Sequence, residues 1–320
     1  MDITLRHIGK SYNKHQPVLE SISFDVGPRE LVSIVGPSGT GKTTLLKIIA
    51  GLETPDSGEV IFSETVNKHH PVIIVFQDYV LFPAMTVREN IGFGLKARHL
   101  KKQQITRQVD QMLDYFQLNP QADLYPAQLS AGQKQRVAIA RAMIVNPGVL
   151  LLDEPFANLD RNLKMETARF IRTTQQSFGI PTISVTHDLE EAFAMSDRIG
   201  VLLDRRLQHF DTPRQVYFHS ATPAVARFLG PVNEIPPALF PLFQVDDTVA
   251  GPLNGTPLQA RPENLVITAD PHGSCRIMEK TFAGHYTVYV VAAGARAYTI
   301  YSQNDRIDID QPVSLRYRPF

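Results

Sequence analysis

The residues best suited to chemistry fall in two short runs. Gly36-Pro37-Ser38-Gly39-Thr40-Gly41-Lys42-Thr43-Thr44 satisfies the pattern G-x-x-x-x-G-K-[ST]. Glycines let successive backbone N–H groups turn inward around a phosphate with no Cβ in the way. A helix starting at Lys42 points its free N–H groups and positive dipole end at the same anion. Lys42 is then expected to reach the β- and γ-phosphates of a nucleotide, and the Thr43 hydroxyl to ligate Mg2+. The second run, Val149-Leu150-Leu151-Leu152-Asp153-Glu154, is an apolar strand ending in two acids. Two carboxylates at the end of a buried strand are costly unless they have a ligand. Asp153 is expected to hold the Mg2+ shell, and Glu154 to polarise an attacking water as general base. An exposed turn after a core strand could show the same letters, but the phosphate-binding run upstream argues against that.

A third run, Leu129-Ser130-Ala131-Gly132-Gln133, precedes the two acids. Ser130 and Gln133 form an S-x-x-Q capping box, so Ser130 is expected to cap the helix that follows. A capped helix start carries partial positive charge, and Gly132 lets a phosphate come close. An ordinary helix start would also read this way.

Taken together, the runs resemble the ATP-binding cassette (ABC) ATPases over residues 1 to about 230. Leu129 to Gln133 is similar to their LSGGQ signature, with Ala131 where glycine is usual, a small change that should leave function intact. The resemblance implies an ATPase that binds ATP and Mg2+ as a homodimer. Ser130, Ala131, Gly132 and Gln133 of one subunit would then face the γ-phosphate held by the other. Tyr12 would stack on adenine, Gln77 would touch Mg2+ or its water and couple to membrane subunits, and His187 would contact the γ-phosphate. Asp160, in Asn158-Leu159-Asp160, would lie in the D-loop that crosses the dimer interface.

Tyr79 to Pro83, Met85 to Ile91, Glu154 to Asp160 and Asp211 to Tyr217 resemble the importer branch of that family. Arg261-Pro262-Glu263-Asn264-Leu265 resembles the entry to the C-terminal β-barrel (TOBE) domain of importers for sulfate, molybdate, ferric iron, polyamines and sugars. Phe228 to Asn233 is slightly more similar to the sulfate importers. The implied partners are two transmembrane permease subunits and, indirectly, an extracytoplasmic solute-binding protein, with this chain peripheral on the cytoplasmic face of the inner membrane. Three alternatives stay open: a non-transport ABC ATPase acting on nucleic acid or the ribosome, a regulatory module with a vestigial ATPase, and an exporter that shares the cassette. The first usually carries two cassettes or a coiled-coil insertion, and neither heptads nor a second phosphate-binding run occurs here.

The elements that must position these residues follow from periodicity. Leu31 to Val35 is a short apolar strand before the glycine turn, and Lys42 to Ile49 is a helix stopped by Gly51. Strand, turn and helix in this order open a parallel α/β sheet. Val72 to Phe76, Val149 to Leu152, Thr182 to Val185 and Ile199 to Leu203 read as further buried parallel strands. Ile3 to His7 and Val18 to Val26 read as strands, the first at an edge. Ile105, Val109, Met112, Leu113 and Phe116 make one face of an amphipathic helix. The expected fold is an α/β P-loop domain with a mixed, mainly parallel sheet, over residues 1–230. After Gly230 prolines cluster and short β-rich runs follow (Leu265 to Thr268, Tyr286 to Val291, Ala297 to Tyr301, Val313 to Tyr317). Residues 231–320 are therefore expected to form a linker and a small all-β, barrel-like TOBE (OB-type) domain.

Bulk composition narrows the field. The chain has 320 residues, enough for two unequal domains, with 43% hydrophobic and 20% charged residues as in globular proteins. The formal charge is +0, from 32 basic and 32 acidic residues, so no broad footprint for nucleic acid is expected. Cys275 is the one cysteine and can form no intrachain disulfide. The start at Met1-Asp2-Ile3-Thr4 lacks the basic and apolar run of a signal peptide, so none is expected.

Overall fold

The computed structural model describes residues 1–13, 16–157, 161–250 and 255–319. It divides into two compact units, Met1–Val216 and Tyr217–Phe320.

The first unit is built on a six-stranded sheet of order β5-β6-β7-β3-β8-β9. Its strands are β3 (Leu31–Val35), β5 (Val72–Val75), β6 (Val149–Asp153), β7 (Thr182–Thr186), β8 (Arg198–Leu203) and β9 (Arg206–Asp211). All neighbours are parallel except β8 and β9, so the sheet is mixed and mainly parallel. Every residue of β3, β6 and β7 is buried. The apolar runs are continuous because alternate residues feed two layers. Leu150 and Leu152 pack with the helices α2 (Val87–Ala97), α3 (Lys102–Tyr115), α4 (Ala131–Met143) and α5 (Arg161–Phe178). Val149 and Leu151 pack on the opposite face with α1 (Lys42–Ile49). Each fully buried Leu or Ile contributes about 1.5–3 kcal/mol, so both layers bind the sheet strongly.

That second face also carries a separate antiparallel sheet of order β2-β1-β4, made of β1 (Ile3–Asn13), β2 (Gln16–Val26) and β4 (Ser57–Phe62). Ile3, Leu5 and Ile8 of β1 meet Ile22, Phe24 and Val26 of β2 in one core. Periodicity shows β1 and β2 as strands but not that they leave the main sheet, because pairing is a long-range property. The amphipathic stripe in α3 buries Val109 and Leu113, with Phe116 following at the helix end, and half-buries Ile105 and Met112.

In the second unit a five-stranded antiparallel sheet has the order β12-β16-β13-β14-β15. It comprises β12 (Leu265–Ala269), β13 (Cys275–Phe282), β14 (Thr287–Ala293), β15 (Arg296–Ser302) and β16 (Pro312–Tyr317), beside the pair β10 (Asn233–Ile235) and β11 (Leu258–Ala260). Cys275 is buried in its core. The C-terminal region is thus all-β in its sheets. The change in sequence texture at Gly230 comes later than the division between units, for a physical reason. Of the short helices α6 (Leu189–Met195), α7 (Pro213–Phe218) and α8 (Pro223–Leu229), α8 and the end of α7 are tied to the second unit by Arg261. That guanidinium, 3% exposed, donates to the carbonyls of Tyr217, Ala226, Gly230 and Pro231.

Candidate nucleotide site

The loop after β3 is shaped by two glycines that nothing larger could replace. A Cβ at Gly36 would lie 2.3 Å from the Leu202 carbonyl oxygen. Gly41 sits at φ 96°, where a Cβ would also lie 2.9 Å from the Val18 carbonyl oxygen. The loop therefore hugs β8 at one end and β2 at the other, and α1 begins directly at Lys42.

Lys42 is 5% exposed, and its Nζ donates to the carbonyls of Gly36 (2.8 Å) and Pro37 (3.0 Å). The same Nζ lies 3.7 Å from Glu154 Oε1. Burial pulls this ammonium below the usual lysine range, and the Glu154 charge opposes the shift. Thr40 Oγ1 donates to the Pro37 carbonyl at 2.9 Å, closing the loop on itself. Ser38, Gly39, Gly41, Lys42, Thr43, Thr44, Gln77 and Glu154 line one cleft of about 270 Å3. Tyr12, more than half exposed on β1, stands at the rim with its hydroxyl 3.4 Å from Thr44 Oγ1.

The end of β6 supplies both acids. Thr43 Oγ1 donates to Asp153 Oδ1 at 3.0 Å, and Asp153 is 6% exposed. Burial pushes its carboxyl up, against the Thr43 hydrogen bond and the charges of Lys47 and Lys42. A buried carboxylate with raised proton affinity beside a hydroxyl oxygen is a hard-oxygen pair that a small divalent cation would stabilise, so the donor set fits Mg2+. Among the described residues no cluster of three or more His, Cys, Asp or Glu side chains offers a metal site of another kind.

Glu154 takes a left-handed backbone at φ 48°, while its N–H donates to the Val185 carbonyl at 2.9 Å. Strain of this kind at a non-glycine residue is held in place only by its surroundings. The turn aims the carboxylate at the end of β7, where His187 Nδ1 meets Glu154 Oε2 at 2.7 Å. An ionised carboxylate only accepts, so Nδ1 is the protonated nitrogen. Beside His187, Lys164 Nζ of α5 lies 2.8 Å from Asp188 Oδ2 and 3.1 Å from Glu191 Oε1. Asp188 also caps α6 by accepting from the Glu191 N–H. Glu191 is 1% exposed, and burial raises its carboxyl to about 8. The Lys164 cation cannot offset that burial, because Asp188 shares it.

Ser130, Gly132 and Gln133 line a different cleft of about 230 Å3 that shares no residue with the first. The capping box is complete: Ser130 Oγ accepts from Gln133 N–H (3.3 Å), and Gln133 Oε1 accepts from Ser130 N–H (2.9 Å). Ala131 opens α4. Within one chain the structure therefore gathers the phosphate-loop residues, Gln77, Asp153, Glu154 and His187, and leaves Ser130 to Gln133 apart. Asp160 lies outside the described residues.

Gln135 has no motif to mark it: it is 2% exposed on α4, and its Nε2 donates to the Pro155 carbonyl at 2.7 Å and ties α4 to the turn after Glu154. The same holds for Lys164 and Glu191. A buried polar residue inside a helix leaves no local signal.

The ABC transporter family profile matches residues 19–157. The chain is 39% identical to the sulfate/thiosulfate import ATP-binding protein CysA of Thermosynechococcus vestitus, over 86% of this chain and 81% of that protein. It is 38% identical to the spermidine/putrescine import ATP-binding protein PotA of Mycoplasma capricolum, over 99% of this chain and 95% of that protein. A solved dimeric, post-hydrolysis ATP-binding cassette bound to ADP and Pi superposes with a TM-score of 0.58 at 29% identity, covering 66% of this chain and 99% of that one. Loop, acids and histidine thus sit on the fold that this similarity implies, and the chain belongs to the ABC transporter family of ATP-binding proteins.

Proposed function

We propose that this protein hydrolyses ATP in a homodimer and couples the reaction to solute uptake through two transmembrane permease subunits. The observation that carries the reading is that Glu154, in the phosphate-loop cleft, meets Lys42 on one side and His187 on the other, with Thr43 and Asp153 joined beside it. Lys42 Nζ binds the β- and γ-phosphates, and the N–H groups of Gly39 to Thr44 surround them. Tyr12 stacks on the adenine at the rim. Thr43 Oγ1, Asp153 and Gln77 would hold Mg2+, which when bound neutralises charge on the phosphate oxygens. Glu154 takes the proton of the attacking water, and the His187 Nδ1 hydrogen bond fixes its carboxylate. Ser130, Ala131, Gly132 and Gln133 of the second copy complete the donors around the γ-phosphate, and Asp160 belongs to the same interface.

Support for a permease comes from an apolar cleft of about 330 Å3 that includes Val80, Phe82, Phe93, Gly94 and Val145, next to Gln77. No helix among the described residues is long and apolar enough to cross a membrane, so the membrane passage would belong to the partners. In this reading the protein sits peripherally on the cytoplasmic face of the inner membrane, served indirectly by an extracytoplasmic solute-binding protein. The relatives' names make sulfate or another oxyanion the first substrate class to test and polyamines the second. Residues 231–320 would be the linker and TOBE-like barrel of such importers, a reading supported by contact between β12 and β15, the two ends of the five-stranded order.

The test is phosphate release from ATP with Mg2+. The wild-type chain should turn over, and Glu154→Gln should lose about 10²–10⁴-fold in rate, the usual contribution of a general base. A Glu154→Gln rate equal to wild type would remove Glu154 from the chemistry.

A further inference from the structure

Directly after Gln77 the backbone enters left-handed space twice in succession, at Tyr79 (φ 58°) and Val80 (φ 42°). Neither is glycine, and Val80 is β-branched, so the turn is disfavoured by itself and persists only if contacts hold it. Arg141 of α4 supplies them. Its Nη2 donates to the Tyr79 carbonyl at 3.0 Å and its Nη1 to the Val80 carbonyl at 2.9 Å. The guanidinium carbon also lies 5.3 Å from the centre of the Phe82 ring, which packs at 4.4 Å on Phe93 of α2. The far side of the segment is anchored by Asn90, fully buried in α2. Asn90 accepts from the Phe82 N–H at 2.8 Å and donates to the carbonyls of Phe82, Met85 and Thr86. At the near side, the Tyr79 N–H donates to the Phe76 carbonyl at 2.8 Å, so the turn starts at the strand end that presents Gln77.

We propose that Arg141 is a positioning residue: it locks the Tyr79–Val80 turn in its left-handed form and so sets Gln77 in the nucleotide cleft. Two parallel N–H donors meeting two successive carbonyls require the planar fork of arginine; a lysine ammonium keeps the charge but not the fork. Because α4 begins at the Ser130 cap and carries Arg141 near its other end, the turn and the helix tip are fastened to one rigid element. A partner pressing on Val80, which is 58% exposed, would bear on that element.

The inference rests on the ATPase reading, and its test separates the two. The full-length protein is compared as wild type, Arg141→Ala, Arg141→Lys, Val80→Gly and Arg141→Ala/Val80→Gly. Amide hydrogen exchange at residues 78–82 needs no nucleotide, and steady-state ATP hydrolysis with Mg2+ reads the site. In Arg141→Ala, exchange at Tyr79 and Val80 should quicken at least tenfold, and kcat should fall at least tenfold with KM for ATP within twofold. Arg141→Lys should leave kcat low. Glycine accepts φ 42° without strain, so adding Val80→Gly to Arg141→Ala should bring kcat back to within threefold of Val80→Gly alone. Unchanged exchange at residues 78–82 in Arg141→Ala, or full activity in Arg141→Lys, would overturn the proposal, as would a kcat loss that the glycine does not relieve. Should Arg141→Ala fail to fold, Arg141→Lys decides by the same two measurements. If the wild type released no phosphate, the ATPase reading would fall, while the exchange data would still judge the hold of Arg141 on the turn.

Discussion

The phosphate-loop cleft and the tip of α4 are the two places that the proposed reaction gives to phosphate, yet they are held in opposite ways. Around the cleft, Lys42, Asp153, Glu154 and His187 come from three separate stretches of chain and fix one another through polar contacts that run from the buried Lys42 to the exposed His187. At the tip, Ser130 is exposed, and its capping box is satisfied within four residues. The cleft is organised by tertiary structure, and any change there leaves a buried charge unanswered. The tip is organised locally, so it keeps its shape wherever the rest of the site lies. Such a division suits a site assembled from two copies: one half must grip a polyanion, and the other must arrive already formed.

The contrast can be broken at its strong side first. Lys42→Ala should remove a charge-assisted contact to phosphate of about 1.5–3 kcal/mol, or about ten- to hundredfold in ATP affinity by calorimetry. Unchanged affinity would mean that the buried ammonium serves only the Gly36 and Pro37 carbonyls and Glu154. At the tip the effects should separate. Ser130→Ala should lower the rate of phosphate release about tenfold through a lost donor to a charged group, with single-chain ATP affinity unchanged. It should also cost about 1 kcal/mol of stability as a lost helix cap. A matched loss of ATP affinity would place Ser130 in the same chain's cleft and erase the distinction.

The smallest effect lies behind His187. Glu191 has a folded value of about 8 against an ordinary 4.5, so the folded protein keeps a proton there that the unfolded chain releases. Its contribution is fully present below pH 4.5 and is lost as pH rises towards 8. Urea titrations of Glu191→Gln should therefore show a shallower fall in stability across that interval than wild type. An identical slope would show that Lys164 keeps Glu191 ionised.

Chemistry set by local backbone was legible in the sequence. The glycine turn, the acids closing β6 and the S-x-x-Q cap each occupy a few consecutive residues, so their residue types stand together in the sequence, although only the geometry of the cap follows from its own residues. What distant chain imposes was not legible. Arg141 meets Tyr79 and Val80 across more than sixty positions, and the left-handed pair it holds carries no glycine to announce it. The same reason hid the separate β2-β1-β4 sheet and the placement of α8 with the second unit. In both cases the deciding partner, β4 or Arg261, lies far along the chain.

In the proposed reaction the glycine turn of one copy and the α4 tip of another close on the same triphosphate. Sedimentation of Glu154→Gln with ATP and Mg2+ tests it most directly, because slowed hydrolysis should trap the closed pair. The mass should shift from that of the 35.8 kDa chain to twice that value, and adding Ser130→Arg to crowd the tip should reverse the shift. A nucleotide-saturated Glu154→Gln protein that stays at 35.8 kDa would contradict it.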